Sequence, residues 1–157
     1  TGAVGVVRHD PMAMLPFCGY NMGDYLRHWL AIGQHSTAEK LPKIFYVNWF
    51  RKSSSGQWLW PGYGENIRVL KWIYERVTGE APASISPIGQ LPLPTALDTS
   101  QLKITPAQLT ELLRFDKSGW QQELIGLRQH YARLGDRLPT ELREELAALA
   151  RHLDSAG

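Results

Sequence analysis

The chain has 157 residues, of which 43% are hydrophobic and 20% charged, and a formal net charge of +2. That size suits one domain with a sizeable core. The near-neutral balance argues against a polyanionic partner such as nucleic acid, and no apolar run is long enough to span a membrane as a helix. The single cysteine, Cys18, excludes an internal disulfide and points to a reducing compartment, the cytoplasm.

Taken in chain order, residues 3–8 in "AVGVVRHDP" form a short β-rich run stopped by Pro11, which predicts a strand. The following "PMAMLPFCGY" has two prolines and a glycine and reads as a packed apolar loop, with Cys18 as a small buried residue. Asn21 reads as a helix cap. Beyond it Met22, Tyr25, Leu26, Trp29 and Leu30 share one face of a helix that fades at Gly33.

"KIFYVNWF" is β-branched and aromatic with no breaker, which predicts a strand covered on both faces. "RKSSSGQ" is a loop and "WLW" a short extended piece ended by Pro61 and Gly62. A helix is expected from Glu65–Asn66, with Val69, Leu70, Ile73 and Val77 on its inner face and Gly79 closing it.

Residues 80–104 hold four prolines and little periodicity, which predicts a long surface crossing. Thr105, Pro106 and Gln108 then spell a capping box with proline at the first helical position. Leu109, Leu112 and Leu113 supply the apolar face. A second helix is expected after Asp116, with Trp120, Leu124, Leu127, Tyr131 and Leu134 inward. A third starts near Pro139 and carries Leu142, Leu146, Leu149 and Leu153. The expected organisation is a strand/helix part over 1–79, the crossing over 80–104 and a helical subdomain over 105–154. The opening "TGAVGVV" reads as the middle of a longer chain.

Seven of the sixteen aromatic residues lie between Phe45 and Tyr63. From pattern alone, a core strand with a packed turn accounts for them. Two features pull the other way. The rings flank a Ser/Gly loop, and "GYGEN" follows, whose glycines allow close backbone approach just before a helix start. A purine suits such a place, since stacking on an aromatic face stabilises any base by about 1–3 kcal/mol. Base identity then has to come from hydrogen bonds to the base edge, and Asn66 is placed to make them.

Chemistry-bearing motifs are sparse. The sequence has no G-x-x-x-x-G-K-[ST] string, no H-E-x-x-H, no Cys-x-x-Cys and no clustered aspartates. His9-Asp10 is the only adjacent His/acid pair and suits a capping or loop role better than catalysis. Arg51 and Lys52 could reach a phosphate, but two basic residues in a loop are more often solvated. Residues 1–64 balance to +3 and the remainder to −1. That unevenness suits a phosphate-bearing small molecule, although an ordinary solvated surface explains it better. No catalytic residue and no metal ligand is assigned.

The strings "HDPMAMLPFCGYNMGDYLRHWL", "LPKIFYVNWFRK" and "WLWPGYGENIRVLKWI" together resemble the C-terminal region of GTP-dependent phosphoenolpyruvate carboxykinases. "SPIGQLP" and the closing helices are similar more loosely. The resemblance implies an α+β architecture, the C-terminal part of that family's nucleotide-binding domain, with a few strands and predominantly helical packing. It implies conversion of oxaloacetate and GTP to phosphoenolpyruvate, GDP and CO2 in gluconeogenesis, with Mn2+ at the active site and Mg2+ on the nucleotide.

Carried over by motif, Phe50, Trp58 and Tyr63 form an aromatic clamp for guanine. Gly64, Glu65 and Asn66 line the pocket, with Asn66 reading the base edge. Two positions depart from the family, which commonly has Phe where this chain has Trp58 and Tyr63. Both keep a π face but change shape and polarity. The family's phosphate loop, metal ligands, substrate-binding arginines and lid correspond to sequence upstream of Thr1. The resemblance therefore implies an inactive piece whose partners are the nucleotide and the N-terminal part of the same enzyme. Self-association through strands left without neighbours is expected. Two other readings stay open at this point, a stand-alone guanine-nucleotide module and a helical interaction domain whose aromatic residues are core.

Overall fold

The computed structural model describes Asp10 and residues 13–156. The strand expected over 3–8 lies outside the described residues. The described chain is mixed α and β, with five α-helices and one two-stranded antiparallel sheet. It divides into two compact units, one of residues up to Leu41 and from Lys117 on, the other of Pro42–Asp116.

In the first unit, Asn21 caps α1 (Met22–Gln34) by accepting from the Gly23 amide at 2.8 Å. The helices α4 (Lys117–Ala132) and α5 (Thr140–Ser155) pack against each other in the same unit. Met22, Leu134 and Leu138 form a buried cluster, with Met14, Cys18, Tyr25, Leu26, Tyr131 and Leu142 around it. Leu124 and Leu153 are also buried, so the apolar stripes expected for α4 and α5 are the ones that turn inward. Gly23 lies directly against the main chain of Arg137.

The second unit begins with the aromatic run, and here the expected strand is absent. Residues 42–48 are extended without ladder partners among the described residues. Their side chains alternate: Phe45 and Val47 are half-buried, while Ile44 and Tyr46 are 75% and 91% exposed. The segment is thus covered on one face and not on both, as a two-fold repeat of side chains requires when one side alone meets a core.

Next comes α2 (Asn66–Thr78), closed by Gly79 at φ 86° in the left-handed conformation that favours glycine. Its buried residue is Trp72, flanked by half-buried Val69 and Ile73, whereas Leu70 and Val77 are half exposed. The inner face is therefore rotated from the expected one, because the large indole takes the centre. Trp72 joins Ala81, Leu97 and Leu109 in the unit's core, with the Phe45 ring edge-on at 6.2 Å.

The proline-rich crossing carries a hairpin. Strand β1 (Ala83–Ser86) pairs antiparallel with β2 (Gly89–Pro92), joined by the two-residue loop Pro87–Ile88. Pro87 presets the turn and Gly89 supplies φ 114°. Helix α3 (Pro106–Leu113) starts with the complete capping box: Thr105 Oγ1 accepts from the Gln108 amide, and Gln108 Oε1 accepts from the Thr105 amide. It buries Leu109. The helices of 105–154 fall on both sides of the division between units.

Candidate functional site

The candidate site is built on the turn between residues 48 and 66 of the second unit. Asn48 Oδ1 accepts from the Phe50 amide at 2.9 Å, which bends the chain out of its extended course. A tight turn follows. Ser53 and Gln57 are bonded through their backbones, Gly56 sits at φ 80°, and Lys52 bridges Trp58. Arg51 reaches across to donate to the Leu112 carbonyl at 3.0 Å and so ties the turn to α3. The Lys52 ammonium stands 4.3 Å over the Trp58 ring. Both basic residues of the loop, expected as solvated, therefore have partners.

The three rings singled out from the sequence are all on the surface. Phe50 is 72% exposed, Trp58 56% and Tyr63 91%. Phe50 and Trp58 meet edge-to-face at 5.8 Å between centroids. Tyr63 makes no ring contact with them among the described residues. It lines an open cleft of about 370 Å3 with Pro61, Gly62, Gly64, Glu65, Gln101 and Lys103. Trp49 and Trp60 take the structural share of the cluster: Trp60 is buried, and its ring lies 6.0 Å from that of Trp49. The aromatic run thus splits in two, with Phe45, Trp49 and Trp60 turned inward and Tyr46, Phe50, Trp58 and Tyr63 outward.

Gly62, at φ 134°, opens a turn of 3-10 helix, Tyr63–Glu65, that runs into α2. Only glycine adopts that conformation readily, and it turns the Tyr63 ring into solvent. Glu65 pairs with the Arg68 guanidinium at 2.6 Å, and Arg68 also donates to the Asp98 carbonyl at 2.8 Å. The Ser100 hydroxyl and amide beside Asp98 hold its carboxyl below the usual range, with Arg68 adding to the effect. Asn66, half-buried at the first position of α2, accepts from Trp60 Nε1 through Oδ1 at 2.8 Å.

Of the six expected site residues, the structure brings Tyr63, Gly64 and Glu65 to one cleft and Phe50 and Trp58 to each other, with Asn66 on the indole of Trp60. Sequence reasoning missed Gln101 and Lys103, which reach the cleft wall from the segment read as a long surface crossing. It also missed the bond from Trp60. The residue types carried that last signal, since a buried indole N–H needs an acceptor.

Residues 1–152 match the family model described as "Phosphoenolpyruvate carboxykinase C-terminal P-loop domain". The chain belongs to this family, as its C-terminal domain. Among curated relatives, "Phosphoenolpyruvate carboxykinase [GTP]" of Arthrobacter sp. (strain FB24) is 49% identical over 97% of this chain. The protein of the same name from Treponema pallidum (strain Nichols) is 47% identical over 98%. The chain spans about a quarter of the length of these relatives, 25% in each case.

Among the described residues no group of three or more His, Cys, Asp or Glu converges to hold a metal ion. The described residues therefore offer no such cluster for the Mn2+ and Mg2+ that the family implies, and no step is assigned through either ion. Among the described residues, no helix is long and apolar enough to cross a membrane.

Proposed function

We propose that this chain supplies the guanine-binding surface of a GTP-dependent phosphoenolpyruvate carboxykinase. That enzyme converts oxaloacetate and GTP to phosphoenolpyruvate, GDP and CO2. The observation that carries the proposal is the exposure of Phe50, Trp58 and Tyr63 around the turn between residues 48 and 66, where Trp60 is buried and Trp49 half-buried. A large aromatic side chain left in water gains by stacking on a flat ligand. Phe50, Trp58 and Tyr63 are read as the clamp, and Gly64, Glu65 and Asn66 as the pocket lining.

The chain's own part in the reaction is binding and orientation. Stacking holds the base while the nucleotide's phosphates extend toward the catalytic groups of the rest of the polypeptide, which also supplies the metal ligands. On this reading the described piece alone has no turnover. Exposed Ile44, Tyr46 and Ile85 are read as surface that the rest of the enzyme covers, so the isolated piece is expected to self-associate. The compartment is the cytoplasm.

The test is titration of the complete polypeptide carrying this chain with GDP, ADP and guanosine, followed by tryptophan fluorescence. Quenching by the guanine ligands and not by ADP is expected. No response from the guanine ligands overturns the reading.

A further inference from the structure

We propose that α2 is an interior helix of the complete enzyme: its outer face, Ile67, Leu70, Tyr74 and Val77, is a docking surface for the part of the polypeptide that precedes this C-terminal domain. It rests on family membership and not on the guanine reading.

Successive residues of a helix step round its axis by about 100°. On that count Val69, Trp72 and Ile73 point toward the unit's core, where Trp72 is buried. Ile67, Leu70, Tyr74 and Val77 fall together on the opposite side, within about 80° of arc. All four are between 50% and 67% exposed. The apolar positions thus run round about 220° of the helix. Asn66 and Arg76, the two polar positions inside that arc, stand in its first and last turns. A helix lying on a single layer needs an apolar stripe of about 100°, so one this widely apolar is suited to packing from two sides. Arg68, Lys71, Glu75 and Thr78 fill the remaining arc, and Lys71 pairs with Glu75 along it at 3.3 Å. That is the side made for water.

A second uncovered side lies across the unit. Phe45 meets the Trp72 ring, so its neighbours Ile44 and Tyr46, alternating along an extended segment, point away from α2. The second unit is thus uncovered on two opposite sides, as an inner layer of a larger structure is.

The size of the outer face decides its occupant. α2 has 13 residues and is about 20 Å long, so the strip offers on the order of 200 Å2. Two separate chains need about 800 Å2 each to hold together stably. A second copy of this chain is therefore not held by that strip alone. A segment of the same polypeptide is, because the covalent connection keeps its concentration at the strip high. This chain makes up 25% of relatives such as the Arthrobacter protein and matches a C-terminal domain, so a covering segment is available upstream. That segment has to be uncharged where it meets Leu70 and has to give the Tyr74 hydroxyl a hydrogen-bond partner.

The experiment labels thiols in the complete polypeptide. Leu70→Cys and Val77→Cys place a thiol on the outer face, and Lys71→Cys places one on the polar side. Labelling is read from the mass of the peptide that holds each thiol, so other cysteines do not interfere. The two outer-face thiols should react roughly 100-fold more slowly than the one at position 71 in folded protein, and at the same rate in urea. Dilution should not change the ratio. A photoreactive benzoylphenylalanine in place of Tyr74 should cross-link to a peptide upstream of residue 1 in the same chain.

Equal labelling of all three thiols in folded protein overturns the proposal. So does protection that is lost on dilution, or a cross-link to a second copy or to another part of residues 1–157. Should Leu70→Cys not fold, the nearly isosteric Val77→Cys decides. No nucleotide enters the measurement, so either outcome leaves the guanine reading to its own test.

Discussion

Gly23 and Arg137 meet main chain to main chain: a β-carbon added at Gly23 would stand 2.4 Å from the Arg137 carbonyl oxygen. The start of α1 is seated on the turn before α5 at a distance no side chain permits. Gly23→Ala should therefore destabilise the protein by about 1–3 kcal/mol, although alanine is the better helix former. Gly33, in the same helix with open space around it, is the control. Gly33→Ala should stabilise by about 0.5–1 kcal/mol. Urea denaturation of both variants gives the two signs, and the same sign for both contradicts the close approach.

The same junction holds a charge cluster. Asp24 accepts from Arg27 at 2.8 Å and pairs with Arg137. Partial desolvation opposes ionisation of Asp24, but hydrogen bonds from Arg137 and Arg27 outweigh it and hold the carboxyl below its ordinary value. A folded value below the unfolded one adds stability above the unfolded value, and that contribution is lost as pH falls through the folded value. The stability difference between the native protein and Asp24→Asn should be constant near neutrality and shrink below about pH 4. A difference that persists at pH 2 contradicts the assignment.

Buried and exposed aromatic residues of the second unit should separate in their effects. Trp72→Ala opens the second unit's core, where the indole is 5% exposed and donates to the Pro82 carbonyl, and should cost about 3–5 kcal/mol of stability. Phe50→Ala and Tyr63→Ala should change stability by no more than about 0.5 kcal/mol. Each should weaken guanine-nucleotide binding by about 1–3 kcal/mol. Thermal melts and nucleotide titrations on the same three variants test the separation.

Removing the capping box at α3 tests the most local device in the fold. Thr105→Ala leaves the Gln108 amide without its acceptor and should cost about 1 kcal/mol. Thr105→Ser should restore most of it. The measurement is the denaturation midpoint of the two variants.

Local chemistry was the part of the fold most legible in sequence. The Asn21 cap, the Gly79 stop and the Thr105–Gln108 box each depend on a few neighbouring residues and stand as expected. The run "KIFYVNWF" misled because strand propensity describes what a segment suits, whereas a strand also needs a partner beside it. The hairpin at 83–92 was hidden by its prolines, although "SPIG" carries a turn signal between two short extended pieces. The site was half legible. Residue types named the rings at Phe50, Trp58 and Tyr63, but which aromatic residues point outward depends on packing around Trp60 and Trp72, and that is set by distant residues.

Arg68 joins Glu65 on one wall of the cleft to Asp98, three residues before Gln101 on the other. Its side chain is largely covered, so this tie is shielded from salt better than a surface pair. The gap between Tyr63 and Lys103 is in that sense calibrated by a brace that touches neither. Cutting the brace with Arg68→Met should let the mouth breathe, and whatever enters there should leave sooner without any change in the groups it meets.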